Sequence, residues 1–324
     1  MTVPRIAIPA TLSPAAFHRR RAHALVERFG GETMGTRWSA AIVAPPPGIA
    51  AAIQGVLAHI IAQMSHWEPA SQLSRINAAA PGGWHGIAPE FVQVMTVALH
   101  IAARSEGAFD PAMGALVDLW GFGPPGPRDD APSDAEIDAA RAAAGLGAVQ
   151  LDAPLLRMRR TRAARLDLSG IAKGYAVDAV AARLRAMGCT DFLVEIGGEL
   201  VGVGIQPDGQ PWWVDVEPPP GVALAPLRIA LHGIAVATSG DYRRSSASGS
   251  HSIDPRTGRP IAHGTASVTV LHADCCHADA WASALTVLEP DAAMALAERE
   301  ELAVRLVVRG EGEWLSSGLR AMLD

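Results

Sequence analysis

The chain is poor in cysteine. It holds three, Cys189, Cys275 and Cys276, with no C-x-x-C pair and no even set, so no disulfide framework organises the fold. A basic excess is also lacking: with 27 Lys and Arg against 33 Asp and Glu, a net charge of −6 and a pI near 6.0, the composition argues against a nucleic-acid partner. No apolar run is long enough to span a bilayer, and residues 1–28 lack the continuous apolar stretch of a signal peptide. As written, the chain therefore reads as soluble and cytoplasmic; a mis-assigned Met1 would hide a leader and make the protein periplasmic or exported. There is no internal repeat, and helices and strands do not alternate regularly in the βαβ manner.

What is present is a compact, core-forming composition. The 324 residues are 49% hydrophobic, enough for one large core or two closely joined ones. Phe29 to Val43 reads as a strand pair around a Gly-rich bend that holds Met34. Apolar residues at helical spacing predict helices over Gly48 to Met64 and Pro89 to Arg104, separated by a polar loop, SHWEPASQLSRINAA, that ends in a short helical turn. Gly121 to Pro132 is a Gly/Pro-rich loop, and a short helix opens at Ser133 or Asp134. Beyond Val149, short strands are predicted at Phe192–Ile196, Leu200–Ile205, Trp212–Val216, Leu227–Leu231, Ile234–Thr238, Ser267–Leu271 and Val304–Val308. Helices are expected there at Ala172–Met187, Ala278–Leu288 and Asp291–Glu298. A helical first part packed with a strand-rich second part predicts an α+β fold with a mixed or antiparallel sheet.

Three stretches carry residue types suited to chemistry. In LDLSGIAKGYAVD, Leu166 to Asp178, a short apolar run ends at Asp167, turns through Ser169 and Gly170, and enters a helix bearing Lys173. Free N–H groups at a helix start, the dipole and a mobile cation suit a phosphate, although the stretch matches neither the P-loop nor the dinucleotide fingerprint. An ordinary strand-to-helix connection capped by Ser169 explains the same residues. In LHADCCHADAWAS, Leu271 to Ser283, several metal-capable residues crowd together. Zinc is disfavoured because adjacent Cys275 and Cys276 fit poorly on one tetrahedron and the usual ligand spacings are missing. Asp279 and Ser283 lie one helical turn apart, and with a backbone carbonyl they form a hard oxygen set suited to magnesium. The alternative is that Asp279 complements the helix dipole and Ser283 packs against a neighbour. In HSIDPRTGRP, His251 precedes a rigid turn and is a candidate general base, or a structural hydrogen-bonding histidine. Finally, AFDPAMGALVDLWGFG places Phe109 and Asp110 at a helix entry, where Asp110 either reads an adenine amino group or caps the helix.

Taken together these pieces resemble the FAD:protein FMN transferases, the ApbE-like flavin transferases. The matching motifs are ETMGT from Glu32, the W-x-x-x-S-x-L-S-R-I-N run from Trp67 to Asn77, FDPAMGALVDLWGFG from Phe109, DLSGIAKGYAVD from Asp167, IGGEL from Ile196, TSGDYR from Thr238, HSIDPRTGRPI from His251 and AD-x-W-x-S-A-L from Ala278. They follow the family order over roughly residues 29 to 317. The resemblance implies an ApbE-like, T-fold-related catalytic domain over residues 29–324 behind an N-terminal extension of residues 1–28. It implies a magnesium-dependent reaction in which FAD is split, FMN passes to a Thr or Ser hydroxyl of an acceptor protein, and AMP leaves. By similarity, Gly170, Asp279, Ala282 and Ser283 would hold Mg2+, and Met34, Trp67, Ala108, Phe109, Asp110, Asp167, Lys173 and Ile253 would line the FAD site. His251 matches the family's proposed base; with Asp279 and Lys173 it forms the expected catalytic set. The expected acceptor is a flavin-bearing redox protein or domain with a short Thr-containing motif. Three departures stand out: Ser283 replaces the usual threonine, the segment between Tyr242 and His251 is short, and no lipid-attachment cysteine lies near the start. An FAD pyrophosphatase giving FMN and AMP, or a non-catalytic flavin-binding protein, would use the same pocket.

Overall fold

The computed structural model describes residues 4–8, 14–241, 245–246 and 249–323. Its spine is an eight-stranded sheet whose strands, in chain order, are β1 (Val26–Thr33), β2 (Thr36–Val43), β3 (Phe192–Ile196), β4 (Glu199–Val203), β5 (Ile234–Gly240), β6 (Thr265–His272), β7 (Ala303–Val308) and β8 (Gly312–Leu315). Every neighbour in this sheet is antiparallel, and spatial order equals chain order from β1 to β8. The sheet is thus a meander interrupted by long insertions, which places the architecture in the expected α+β class. β1 and β2 close through a two-residue turn at Met34 and Gly35, both with positive φ (48° and 70°), as a tight hairpin requires.

The alternation of the strands decides what covers each face. On one side Trp38, Ala40, Ile42, Phe192, Val194, Val201, Ala237, Val268 and Leu306 join the main core under the helices. Their neighbours Ala41, Val43, Val236, Leu271 and Ala303 face a three-stranded sheet formed by Arg5–Ala7, Leu227–Leu231 and Trp212–Val216. Part of the segment expected as an extension ahead of residue 29 is therefore built into the fold. Arg5–Ala7 pairs in parallel with Leu227–Leu231, with Ala7 fully buried, and β1 begins at Val26. The parallel pair is the mixed element; the large sheet itself is purely antiparallel.

Four helices matter for the site: α1 (Ile49–Met64), α2 (Pro89–Arg104), α3 (Ala172–Ala186) and α4 (Cys275–Val287). Helix α4 is apolar nearly all round, with only His277 and Ser283 not fully buried, so it lies inside the protein against β5, β6, α2 and α3. It starts three residues earlier than its apolar pattern suggests. The reason is tertiary: Asp178 on α3 accepts the Cys275 and Cys276 N–H groups at 3.0 and 2.8 Å, supplying from another helix the cap that Asp274 does not make. In the expected loop after α1, Ser71 accepts the Ser74 N–H at 2.9 Å and opens a helix over Gln72–Ala78. Among the described residues, no helix is long and apolar enough to cross a membrane.

Candidate functional site

Helices α3 and α4 meet almost backbone to backbone. A Cβ added at Gly174 would stand 2.3 Å from the Cys275 carbonyl oxygen and 2.7 Å from the Asp279 Cβ, so only glycine permits this approach. The close contact lets the Gly174 N–H donate to Asp279 Oδ2 at 2.9 Å, across 105 residues of chain. Asp279 Oδ1 then lies 3.9 Å from Lys173 Nζ. The ammonium is held from its other side by Glu199, which opens β4 directly after the Gly197–Gly198 turn.

Two carboxylates, both more than nine-tenths buried, thus flank one lysine whose side chain is 28% exposed. Burial pushes the Glu199 and Asp279 carboxyl groups up from their ordinary range, against the pull of Lys173. For Lys173, burial works to lower the pKa, but the charges of Asp279 and Glu199 outweigh it and hold the ammonium above the usual lysine value. With both carboxylates ionised, the cluster carries one net negative charge. One polar atom in it is orphaned: Glu199 Oε2 is buried without a hydrogen-bond partner.

Beside it, the turn before α3 brings Gly170 against Ser283. Ser283 Oγ donates to the Gly170 carbonyl at 3.4 Å, and a Cβ at Gly170 would sit 2.8 Å from that hydroxyl and 3.3 Å from the Phe109 ring. Gly170, Ser283 and Phe109 are therefore one contact, as are Lys173, Glu199 and Asp279. The Ala282 carbonyl accepts the Thr286 hydroxyl at 2.7 Å.

The other expected site residues take their own places. Asp167 Oδ1 accepts the Ser169 N–H at 2.7 Å and hydroxyl at 2.5 Å, and His66 Nδ1 lies 3.6 Å away. Trp67, next to His66, is 55% exposed, its ring 5.4 Å from the imidazole. Asp110 accepts from Ala112 N at 2.8 Å and from Gly145 N at 2.7 Å, bracing the loop after the helix Asp134–Ala143; burial raises its pKa. Ala108, Phe109 and Ile253 are buried, and Met34 packs at the edge of the main core. The motif from Phe109 and the turn after His251 come together: Trp120 donates to the Gly258 carbonyl at 2.8 Å, and the Phe122 and His251 rings meet edge on at 6.3 Å. Between Tyr242 and His251, residues 242–244 and 247–248 lie outside the described residues.

Glu199 is the site residue that sequence reasoning passed over. It sits inside the IGGEL motif, but a glutamate opening a strand carries no mark of burial. Its role shows only once Lys173 is seen across from it.

A family model described as the ApbE family matches residues 34–306. A Vibrio cholerae protein named FAD:protein FMN transferase is 36% identical over 310 residues, spanning 91% of this chain and 92% of the relative. A Haemophilus influenzae protein of the same name is 32% identical, covering 98% of this chain and 95% of its own. Among solved structures, the Pseudomonas stutzeri flavinyl transferase ApbE in its apo form superposes with a TM-score of 0.85 at 36% identity, covering 92% of this chain and 97% of its own. The flavin transferase ApbE from Vibrio cholerae gives 0.86 at 34%, covering 92% and 99%.

Proposed function

Because the chain belongs to the ApbE family, we propose that it is an FAD:protein FMN transferase that moves FMN from FAD to a Thr or Ser hydroxyl of an acceptor protein and releases AMP. The observation that carries this reading is the buried cluster of Lys173 between the Glu199 and Asp279 carboxyl groups, adjoining the Gly170 and Ser283 oxygens. Its donor set fits a magnesium ion. The ligating atoms, the Asp279 carboxylate, the Ser283 hydroxyl and two backbone carbonyls, are all hard oxygens. Asp279 and Ser283, with the Gly170 and Ala282 carbonyls, would hold the ion. Bound there, magnesium would neutralise charge on the FAD pyrophosphate.

The protein's own groups supply the rest. Lys173, fixed between two carboxylates and still partly exposed, offers its ammonium to pyrophosphate oxygens. Phe109 walls the turn at Gly170 and keeps it apolar. His251, beside Phe122, takes the proton of the acceptor hydroxyl as that oxygen bonds to the FMN phosphorus. The bond from that phosphorus to the bridging oxygen breaks, and AMP departs with the bridging oxygen. Asp110, Asp167 and Trp67 would contact the remainder of FAD, together with Met34, Ala108 and Ile253. The acceptor would be a redox protein or domain displaying a Thr or Ser flavinylation motif.

The test is incubation with FAD, magnesium and a panel of flavin-bearing redox domains. Covalent flavin on an acceptor, matched by AMP, supports transfer; His251→Ala should slow it by roughly 10²–10⁴-fold while FAD binding persists. Release of AMP and free FMN at a rate indifferent to every acceptor would instead establish hydrolysis, and covalent flavin on none of them would count against the proposal.

A further inference from the structure

A second cluster lies at the N-terminal start of the same helix. β6 ends at His272, Asp274 is the N-cap residue of α4, and His277 stands in its first turn, giving the pattern H-x-D-x-x-H. The two imidazole rings stack with centroids 4.9 Å apart and planes 22° from parallel. Asp274 Oδ2 is 4.0 Å from His272 Nδ1 and 3.7 Å from His277 Nδ1, and one ligand atom from each residue lies within 4.8 Å of the others. From this geometry we propose a transition-metal site at His272, Asp274 and His277, suited to Zn2+ and distinct from the oxygen-lined site at Asp279.

Two independent observations point to a ligand. His277 Nδ1 is buried and has no hydrogen-bond partner, a state that a metal bond would relieve. Asp274 is an N-cap residue whose carboxylate makes no cap bond, because Asp178 already accepts the Cys275 and Cys276 N–H groups. That leaves the Asp274 carboxylate, 61% exposed, free to turn toward the imidazoles. His272 is tied to the same turn: its Nδ1 accepts the Asp274 N–H at 3.0 Å, so ligation through Nδ1 would replace that bond.

The donor types choose the ion. Two imidazoles and a carboxylate suit zinc and its first-row neighbours, whereas magnesium and calcium favour all-oxygen sets. The cluster offers nitrogen and oxygen ligand atoms, while the Cys275 and Cys276 thiols are buried, at 0% and 5% exposure. A tetrahedral zinc with bonds of about 2.0–2.1 Å needs ligand atoms about 3.4 Å apart, so the three ligand atoms, within 4.8 Å of one another, draw together on binding and the two stacked rings turn until their lone pairs converge. The positive end of a helix dipole disfavours a cation, but Asp178 already satisfies the first two N–H groups and blunts that field. An ion here would clamp β6 to α4, the helix that carries Asp279 and Ser283.

The test uses untagged full-length protein with excess Mg2+, so that the oxygen site is occupied and binding at the two sites is separable. Titration with Zn2+, and with Co2+ as the spectroscopic probe, should show a single equivalent bound, visible d–d bands without thiolate charge transfer, and a rise in Tm. His277→Gln and Asp274→Asn, made separately, should each weaken binding by more than the roughly 10- to 100-fold that loss of an outer-shell partner costs, and each should abolish the Tm rise. Circular dichroism of both variants should match the parent. Absence of saturable Zn2+ binding, unchanged affinity in both variants, or a thiolate signature would each overturn the proposal.

Discussion

Replacing Gly174 by alanine tests the contact that assembles the site. The new Cβ would come within 2.3 Å of the Cys275 carbonyl oxygen and 2.7 Å of the Asp279 Cβ, where packed atoms normally stand about 3.5 Å apart. Both obstacles belong to the buried helix α4, so α3 and α4 must part by about 1 Å. Such overpacking costs roughly 1–3 kcal/mol. Stretching the charge-assisted bond from Gly174 N to Asp279 Oδ2 removes about 1.5 kcal/mol or more, while alanine's better helix propensity returns about 1 kcal/mol. The expected net loss is about 1.5–3.5 kcal/mol, read in a denaturant titration as a lower midpoint at unchanged slope. Gly55 in α1 is the matched control. Nothing lies within 4 Å of its Cβ position, so Gly55→Ala should stabilise the protein by about 0.5–1 kcal/mol. The same chemical change should therefore act with opposite sign at two helical sites. Equal stability of the two variants would refute the close approach of α3 and α4.

Asp178→Ala should cost about 1–3 kcal/mol, because two N–H groups at the start of buried α4 lose their acceptor. Burial pushes the Asp178 carboxyl up to about 6. A folded-state pKa above the unfolded value means the folded protein holds this proton longer. Asp178 therefore contributes stability below about pH 4 that is lost as pH rises through 6, and this component should vanish from the stability profile of Asp178→Asn. Glu199→Gln keeps the shape beside Lys173 but removes one of the two ionisable carboxyl groups of the cluster, so more Mg2+ should be needed for half-maximal activity. Since burial raises the Glu199 pKa, metal affinity of the parent should also weaken as pH falls, and the variant should lose that part of the pH dependence.

Much of the candidate site was legible because its pieces are local. The turn at Gly170, Lys173 and the Asp279 and Ser283 pair each announce themselves by residue type and spacing, and the folded chain sets Gly170 beside Ser283 across 113 residues. What stayed hidden depends on partners distant in sequence. Glu199 gains its meaning from Lys173, and the start of α4 from Asp178 on a neighbouring helix. The strands Val149–Asp152 and Arg157–Arg160 escaped because the second reads RMRR, with no apolar alternation; Arg160 is nevertheless buried, its guanidinium satisfied by the Ala164 and Ala79 carbonyls. The short strand Arg5–Ala7 carries too few residues to show a period, and pairing with Leu227–Leu231 alone defines it. His272 and His277 were recognisable as metal-capable, but the usual zinc spacings do not describe a strand end folding back on a helix start.

Lys173 is the only lysine of the chain, so protein grown with lysine labelled at 13Cε gives a single side-chain resonance from the heart of the proposed site. Titration with FAD in the presence of Mg2+ should move that resonance in step with flavin binding, and Asp279→Asn should shift its position before any ligand is added. A Lys173 signal that stays still while FAD binding saturates would place the flavin elsewhere and contradict the account.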